Sequence, residues 1–232
     1  MNYALFLRAF RCSIPVMLGY IAIGVAFGLM CSAAEYPWFV ALAMSVIIYA
    51  GAGQYIAVAL FAAGSPILNI LIVEFIVNAR HIAYGITMLE KYNAAPRYKP
   101  YLIFSLTDET FALLSSFDYS ILKEKERGIF MFFVSALNQF YWIAGSVIGA
   151  LALDFLPFSA QGVEFALTAL FIVLLLEQIF RIKRAGPFVA GALCAVLAVV
   201  FLPKNISIIA ALAMSLAIVQ LTQKLSFRRV KR

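Results

Sequence analysis

Ionisable side chains occur inside segments of this 232-residue sequence that are otherwise apolar. Arg80 lies beside His81, the single histidine of the chain, in the segment ILNILIVEFIVNARHIAYGITML, and Asp108 and Glu109 lie in the segment FSLTDETFALL. A guanidinium, an imidazole and two carboxylates can bind a charged ligand, exchange protons or form ion pairs. These residues are therefore the first candidates for a functional site.

The segment around Arg80 has helical spacing. Glu74, Asn78 and His81 fall at positions i, i+4 and i+7, on one face of a helix, and Arg80 points about a quarter turn away, in line with Tyr84. A charged group at the centre of a bilayer costs about 2.5 kcal/mol or more, so Arg80 must face a partner, a cavity or the interface. Two interpretations stay open: a structural Arg–carboxylate pair between helices, or a substrate or proton site.

The adjacent carboxylates of Asp108 and Glu109 diverge by about 100° on a helix. One of them can pair with Arg80 while the other binds a proton or an amine, and a buried carboxyl group that exchanges a proton is what proton coupling needs. The alternative is the start of a shorter helix, with Thr107 or Asp108 as its N-cap.

A glycine motif interrupts the segment IYAGAGQYIA. Gly51 and Gly53 each weaken a helix by about 1 kcal/mol relative to alanine, and Gln54 follows them. The motif predicts a broken helix, which is tolerated in a membrane where the freed backbone groups line a cavity. The start of the second half-helix would direct N–H groups at an anion. The alternative is a Gly/Ala groove for close helix packing.

Composition indicates the elements that must position these residues. The chain is 65% hydrophobic and 12% charged, whereas soluble domains are about half apolar and a quarter charged. The apolar residues fall into blocks of about 20, the length that crosses a bilayer core of about 30 Å. We predict an all-α, polytopic transmembrane helix bundle in a single domain over 1–232. The expected spans are 12–34 (uncleaved), 38–63, 66–89, 101–117, 128–153, 163–180, 186–202 and 205–222, and the count falls to seven if one segment re-enters.

Basic residues cluster at the ends of the predicted spans, in 181–184 and in the C-terminal tail. Such clusters are typical of cytoplasmic edges that touch anionic lipid, so the net charge of +7 does not indicate nucleic-acid binding. Eight spans with both termini in the cytoplasm place the 118–127 loop inside. The loop with Lys91, Arg97 and Lys99 then falls outside, against the positive-inside rule.

Paired glycines provide a faint internal repeat. Gly24 and Gly28 in the first span match Gly145 and Gly149 in the fifth. Two duplicated halves with broken helices near the midplane are a common transporter plan. Ordinary close packing through small residues would produce the same spacing.

The sequence lacks the motifs of the common enzyme and cofactor-binding families. It has no zincin pattern, nucleophile elbow, phosphate loop, dinucleotide fingerprint or cysteine pair. We therefore predict no catalytic residue, no metal and no cofactor.

The order and spacing of six segments resemble the AzlC-type branched-chain amino acid exporters, the large subunits of a two-component permease. The segments are PVMLGYIAIGVAFGLM, AMSVIIYAGAGQY, VNARHIAYG, TDETFAL, NQFYWIAGSVIG and FALTALFIVLLLEQ. The resemblance implies export of valine, leucine and isoleucine, with methionine as a further candidate, across the bacterial inner membrane. It also implies a small hydrophobic AzlD-type partner subunit.

A small zwitterion would use both charge types in these segments. Backbone N–H groups at 51–54, or Arg80, would hold the carboxylate, a carboxylate of the fourth span would hold the ammonium, and tyrosines would receive the side chain. The expected substrate-binding residues are Tyr49, Gly51, Gly53, Gln54, Tyr55, Asn78, Arg80, Tyr84 and Asp108. The expected proton-coupling residues are His81, Asp108 and Glu109.

Two other classes of function stay open. An intramembrane enzyme such as a hydrolase would use His81 with Asp108 or Glu109, and retained metal or turnover of a lipid or peptide would favour it. A structural subunit would change assembly but not transport when Arg80 and Asp108 are neutralised.

Overall fold

The computed structural model describes residues 3–155 and 185–203, together with single positions at 172, 176, 179, 207, 210, 211, 213–215, 217 and 218. Every regular element in this part of the chain is a helix, which confirms the all-α prediction. The helices are α1 (Tyr3–Ala33), α2 (Trp38–Ile47), α3 (Gly51–Ala62), α4 (Ile67–Asn78), α5 (Arg80–Tyr92), α6 (Lys99–Phe104), α7 (Asp108–Ser116), a 3₁₀ turn (Tyr119–Ile121), α8 (Glu124–Phe155) and α9 (Ala185–Phe201).

The chain forms two compact units. The first comprises Met1–Ala59 and Val77–Leu167, and the second Leu60–Ile76 and Thr168–Arg232. Helix α9 corresponds to the predicted span 186–202. The predicted spans 163–180 and 205–222, the basic cluster 181–184 and the C-terminal tail lie outside the described residues, apart from single positions.

Two described helices are long and apolar enough to cross a membrane, Tyr3–Ala33 and Glu124–Ala152, and α4 with α5 adds a third if the pair is one broken span. These agree with the predicted spans 12–34, 128–153 and 66–89. The chain is therefore built as a helical membrane protein, and the total of seven or eight spans stays a prediction.

The paired glycines of α1 and α8 pack against each other. The helices run parallel, since Phe6 packs on Phe133 with ring centroids 5.5 Å apart near their starts, while Gly28 meets the backbone of α8 further along. A Cβ atom on Gly28 would clash with the Ser146 carbonyl, and one on Gly149 with the Val25 carbonyl. Close helix contact thus accounts for the repeated spacing, and duplication of the halves stays a prediction.

The predicted second span, 38–63, is a helical hairpin. Gln54 Nε2 of α3 donates to Ser45 Oγ of α2 at 3.2 Å. Residues nine apart on a continuous helix would be about 13.5 Å apart along its axis. The chain must therefore fold back between α2 and α3, so this segment does not cross as one span.

The turn of this hairpin comes just before the glycine motif. Ile48 and Tyr49 both donate their N–H groups to Met44 O, at 2.9 and 3.1 Å, which ends α2. Tyr49 has a φ of 46°, a left-handed conformation that glycine usually adopts at this position. The predicted helix break is confirmed, but it lies at Tyr49, and α3 starts at Gly51 and includes Gly53.

The predicted fourth span, 101–117, is a second hairpin made of α6 and α7. Lys99 Nζ donates to Asn93 Oδ1 at 2.8 Å, and Lys91 Nζ donates to Ser115 O at 2.8 Å. Both ends of the segment therefore lie beside the end of α5. The segment enters and returns on one side instead of crossing.

The turn of the second hairpin is a capped helix start. Thr107 is the N-cap of α7, and its hydroxyl accepts a hydrogen bond from the Thr110 N–H at 3.3 Å. Asp108 and Glu109 follow in the first turn, where the helix dipole favours carboxylates. The alternative that Thr107 caps a shorter helix is thus confirmed.

The predicted placement of 91–99 outside and 118–127 inside is wrong. A Cβ atom on Gly128, just after the second loop, would lie 2.8 Å from Ala95 Cβ, next to the first. Arg8 also donates to a carbonyl of the 118–127 loop at 3.3 Å. Both loops and the start of α1 share one end, called here the basic end. The error arose because hydropathy measures the length of an apolar segment and not whether it turns back.

We predict opposite stability effects of one substitution at two glycines of α1. Gly28→Ala should lower the free energy of unfolding by about 1–3 kcal/mol, because the methyl group enters the backbone of α8. Gly19→Ala should raise it by up to about 1 kcal/mol, since alanine favours a helix and nothing lies within 4 Å of a Cβ there. Thermal unfolding in detergent measures both, and equal shifts would contradict the close α1–α8 contact.

Candidate functional site

The turn of the α6–α7 hairpin is bound to the middle of α1. The Tyr20 hydroxyl donates to Glu109 Oε2 at 2.6 Å, and its oxygen lies 2.6 Å from Thr107 Oγ1. Tyr20 is 5% exposed. Because one donor acts on a carboxylate, this is the stronger class of hydrogen bond.

Helix α8 extends this network. Thr107 Oγ1 donates to Thr110 Oγ1 at 3.0 Å, and Asn138 Nδ2 donates to the same oxygen at 3.0 Å. Thr110 and Asn138 are fully buried. Three helices, α1, α7 and α8, are therefore joined at the start of α7 by side chains alone.

The α2–α3 hairpin is bound to α8 through Gln54. Its Oε1 accepts from Trp142 Nε1 at 2.9 Å, its Nε2 donates to Ser45, and Ser45 Oγ donates to Ser146 Oγ at 2.8 Å. A Cβ atom on Gly51 would lie 3.2 Å from the Trp142 ring. Gln54, a predicted substrate ligand, joins α3 to α2 through its Nε2 and α3 to α8 through its Oε1.

One residue of α8 contacts both hairpins. Gln139 Oε1 accepts from the Tyr101 hydroxyl of α6 at 2.7 Å, and its Nε2 donates to Val46 O of α2 at 3.2 Å. The two turns therefore meet the same stretch of α8 from opposite ends of the unit. We call the residues at the two turns and their partners on α1 and α8 the turn site. They are Tyr20, Ser45, Tyr49, Gln54, Thr107, Glu109, Thr110, Asn138, Gln139, Trp142 and Ser146.

An ion pair borders the turn site. Arg80 Nη1 lies 2.7 Å from Asp108 Oδ2, and the side chains are 41% and 23% exposed. This confirms the expectation that one carboxylate pairs with Arg80, whereas Glu109, which was expected to be free for a proton or an amine, accepts the Tyr20 hydrogen bond. The pair joins the start of α5 to the start of α7. Its partial exposure leaves it open to a competing ligand.

Tyr49 brings an unsatisfied hydroxyl to the turn site. The residue is 3% exposed, and its hydroxyl faces those of Tyr20 and Thr110 and lies near Glu109. Within the described part of the chain, that hydroxyl makes no hydrogen bond. A buried hydroxyl without a partner costs about 1–3 kcal/mol, and Tyr49 therefore stays a candidate for ligand binding.

Two predicted residues lie away from the turns or are otherwise engaged. Tyr55 donates its hydroxyl to Ile23 O at 2.6 Å and packs edge-on against Phe27. Gly53 is buried inside α3. Tyr55 therefore joins α3 to α1.

The residues around His81 form a local group. His81 Nδ1 lies 3.0 Å from Asn78 O, and its ring meets Tyr84 edge-on at 5.9 Å. Tyr84 stacks on Phe111 of α7 at 4.5 Å. Asp108, which the hydrolase alternative would use together with His81, forms an ion pair with Arg80 instead. In the described structure no carboxylate is bonded to the histidine, as the hydrolase alternative would require.

Metal chemistry gains no support either. Among the residues that the structure describes, no group of three or more His, Cys, Asp or Glu side chains could hold a metal ion.

Sequence reasoning missed Tyr20 and Trp142. Both rings lie in apolar segments where an aromatic residue indicates packing, and they do pack, edge-on at 5.5 Å. A signal existed on α8, where Asn138, Trp142 and Ser146 follow at intervals of four and so share one helix face. Polar residues repeated in this way inside a span indicate a buried network.

Comparison with known proteins identifies the family. The family model described as "AzlC protein" matches residues 15–156, which include every residue of the turn site. The chain belongs to the AzlC family. A Bacillus subtilis protein named "Branched-chain amino acid transport protein AzlC" is 32% identical over 222 residues, 96% of this chain and 87% of that protein.

Further relatives of this AzlC-family chain are membrane proteins by name. An "Uncharacterized membrane protein" of Helicobacter pylori is 38% identical over 225 residues, 95% of this chain and 98% of that protein. The "Inner membrane protein YgaZ" of Escherichia coli is 29% identical over 186 residues, 77% and 75% of the two chains. No solved structure matches.

We predict that Tyr20→Phe loosens the α6–α7 hairpin. The substitution removes a hydrogen bond to a charged group, worth about 1.5–3 kcal/mol, so a buried cysteine in the turn should react with maleimide roughly tenfold faster or more. Ser105→Cys in a cysteine-free background provides the probe. Tyr3→Phe is the control, since Tyr3 is 73% exposed. Equal labelling rates in the two variants would contradict the role of Tyr20.

Proposed function

We propose that this chain is the large subunit of a secondary transporter that exports branched-chain amino acids across the bacterial inner membrane. Valine, leucine and isoleucine are the expected substrates, with methionine as a further candidate. The proton-motive force drives export, and a small hydrophobic AzlD-type subunit completes the transporter. The observation that supports this most is the turn site, where two helical hairpins bring charged and unsatisfied polar groups together between long apolar helices. The name of the Bacillus subtilis relative supports the substrate class.

The start of α3 is the proposed position of the substrate carboxylate. The Gln54 N–H donates to Ala50 O at 2.8 Å, so the N–H groups of residues 51–53 precede the first helical hydrogen bond. Helix starts favour anions for this reason. Arg80 is the second candidate, and a carboxylate there would compete with Asp108.

Glu109 and Tyr49 are the proposed partners of the substrate ammonium. Glu109 carries a negative charge next to the unsatisfied Tyr49 hydroxyl, which can accept a hydrogen bond from an ammonium group. Asp108 is the alternative, at the expense of its pair with Arg80. Tyr84, which is partly exposed, stays the candidate for contact with a branched side chain, since the rings of Tyr20, Trp142 and Tyr55 are buried.

Glu109 is also the proposed proton-coupling residue, ahead of Asp108 and His81. Its carboxylate accepts the Tyr20 hydrogen bond that joins α7 to α1. Protonation would remove the charge from that bond and weaken the attachment of the α6–α7 hairpin. Proton binding would therefore change access to the turn site from the basic end, which the positive-inside rule assigns to the cytoplasm.

Leucine efflux tests the proposal. We predict that proteoliposomes with this chain and its small subunit, preloaded with labelled leucine, lose the label when a pH gradient is imposed. Glu109→Gln should lower both gradient-driven efflux and leucine exchange at least tenfold, because the substitution removes the coupling proton and also the negative partner of the substrate ammonium. Lys125→Gln, at an exposed position in the first turn of α8, is the matched control. Absence of efflux with both subunits would contradict the amino acid assignment, and gradient-driven export with Asp108, Glu109 and His81 all neutralised would contradict the coupling.

The ion pair has a test of its own. Arg80→Gln alone leaves an uncompensated carboxylate and should destabilise the protein, whereas Arg80→Gln with Asp108→Asn removes both charges. We predict that the double variant regains the wild-type unfolding temperature but keeps less than about a tenth of leucine efflux. Wild-type efflux from the double variant would show that the pair only holds α5 and α7 together.

A further inference from the structure

A second polar site lies at the basic end, away from the turn site. It is a pocket of about 190 Å³ between the end of α5, the 3₁₀ turn and the start of α8, lined by Glu90, Lys91, Ala94, Tyr119, Arg127 and Met131. The volume exceeds the about 30 Å³ that one water takes in the liquid. We call it the basic-end pocket.

Lys91 is held in place on one wall of the pocket. Its Nζ donates to Ser115 O at 2.8 Å and to Leu114 O at 3.4 Å, so it caps the carboxyl end of α7, where the helix dipole favours a cation. The same Nζ lies 5.5 Å from the centre of the Tyr119 ring, and Tyr119 donates its hydroxyl to Leu114 O at 2.9 Å. Both side chains are therefore preorganised.

Arg127 stands on the wall formed by α8 without a counter-ion. In residues 3–155 no carboxylate lies within ion-pair distance of it, the one such pair there being that of Arg80 and Asp108. Its Nε is enclosed and has no acceptor in that part of the chain. A guanidinium in this state can accept an anion without first losing a partner.

The charges of the pocket favour an anion. The pocket wall carries two cationic side chains, Lys91 and Arg127, and one carboxylate, Glu90. Arg8 lies nearby, where it donates to the Ile121 carbonyl. The pocket lies at the basic end, beside the start of the membrane-crossing helix α8. Basic pockets in that position bind phosphate groups of lipids.

We propose that the basic-end pocket binds a phosphate group, with Arg127 as a forked donor and Lys91 as a fixed point charge. A planar guanidinium pairs with two phosphate oxygens at once. Ala94 and Met131 form the apolar part of the wall. The phosphate belongs either to an anionic lipid or to a free anion. This proposal does not depend on the transported substrate.

Glu90 distinguishes a phosphate from a zwitterion. A ligand with an ammonium group, such as an amino acid, would use Glu90 as its partner, so Glu90→Gln would weaken binding. A phosphate is repelled by Glu90, and the same substitution would strengthen binding.

The experiment measures thermal unfolding of the purified full-length protein in phosphatidylcholine nanodiscs, titrated with dioctanoyl phosphatidylglycerol or with inorganic phosphate at constant ionic strength. We expect the unfolding temperature of the wild type to rise in at least one titration. Arg127→Gln should raise the midpoint concentration at least tenfold, Arg127→Lys should raise it less, and Glu90→Gln should lower it about twofold. Lys125→Gln, on the same stretch but outside the pocket, should stay within twofold of the wild type.

A rise with the lipid alone would assign the phosphate to a headgroup, and a rise with inorganic phosphate at similar concentration would assign it to a free anion. The proposal is overturned if neither ligand raises the unfolding temperature, if Arg127→Gln behaves as Lys125→Gln does, or if Glu90→Gln abolishes the effect. Arg127→Lys keeps the test valid should Arg127→Gln fail to fold.

Discussion

The close parallel contact of α1 and α8 is the constraint on which the described architecture depends. Gly28 and Gly149 leave no room for a side chain between the two backbones, so the helices meet more closely than larger residues would allow. This contact sets Tyr20 of α1 beside Trp142 of α8. The Tyr20 hydroxyl then donates to Glu109 of α7, and the Trp142 indole N–H donates to Gln54 of α3.

The two hairpins contain backbone N–H groups that need partners inside the protein, because a membrane offers no water. Each places a helix start in the interior, where unsatisfied N–H groups are costly unless they find partners. At α7 the Thr107 hydroxyl accepts from the Thr110 N–H, Tyr20 donates to Glu109 and Arg80 pairs with one oxygen of Asp108. At α3 the neighbouring polar group is Tyr49, in a left-handed conformation with its hydroxyl unsatisfied. Each turn therefore keeps a buried oxygen, Asp108 Oδ1 or the Tyr49 hydroxyl, that makes no hydrogen bond within the described residues.

The sequence was enough to predict where helices break and start, but not whether an apolar segment crosses the membrane or turns back. The helix break close to Gly51, the N-cap alternative at Thr107 and the pairing of Arg80 with one carboxylate follow from residue type and helical spacing. The return of both hairpins does not, because an apolar segment of about 20 residues has the same hydropathy whether it crosses or turns back. The error in sidedness between the loops around α6 and α7 followed from that one assumption. Tyr20 was not identifiable either, since its partners come from helices distant in sequence.

The most direct test of this account is the sidedness of the loops on either side of the α6–α7 hairpin. Single cysteines at Asn93, Ser120 and Glu35 in a cysteine-free background would be labelled with a membrane-impermeant maleimide in right-side-out and inverted vesicles. The account predicts that positions 93 and 120 react in the same vesicle orientation and that position 35, after the end of α1, reacts in the other. Labelling of 93 and 120 from opposite faces would show that α6 and α7 cross the membrane as one span, and would contradict the hairpin and the turn site built on it.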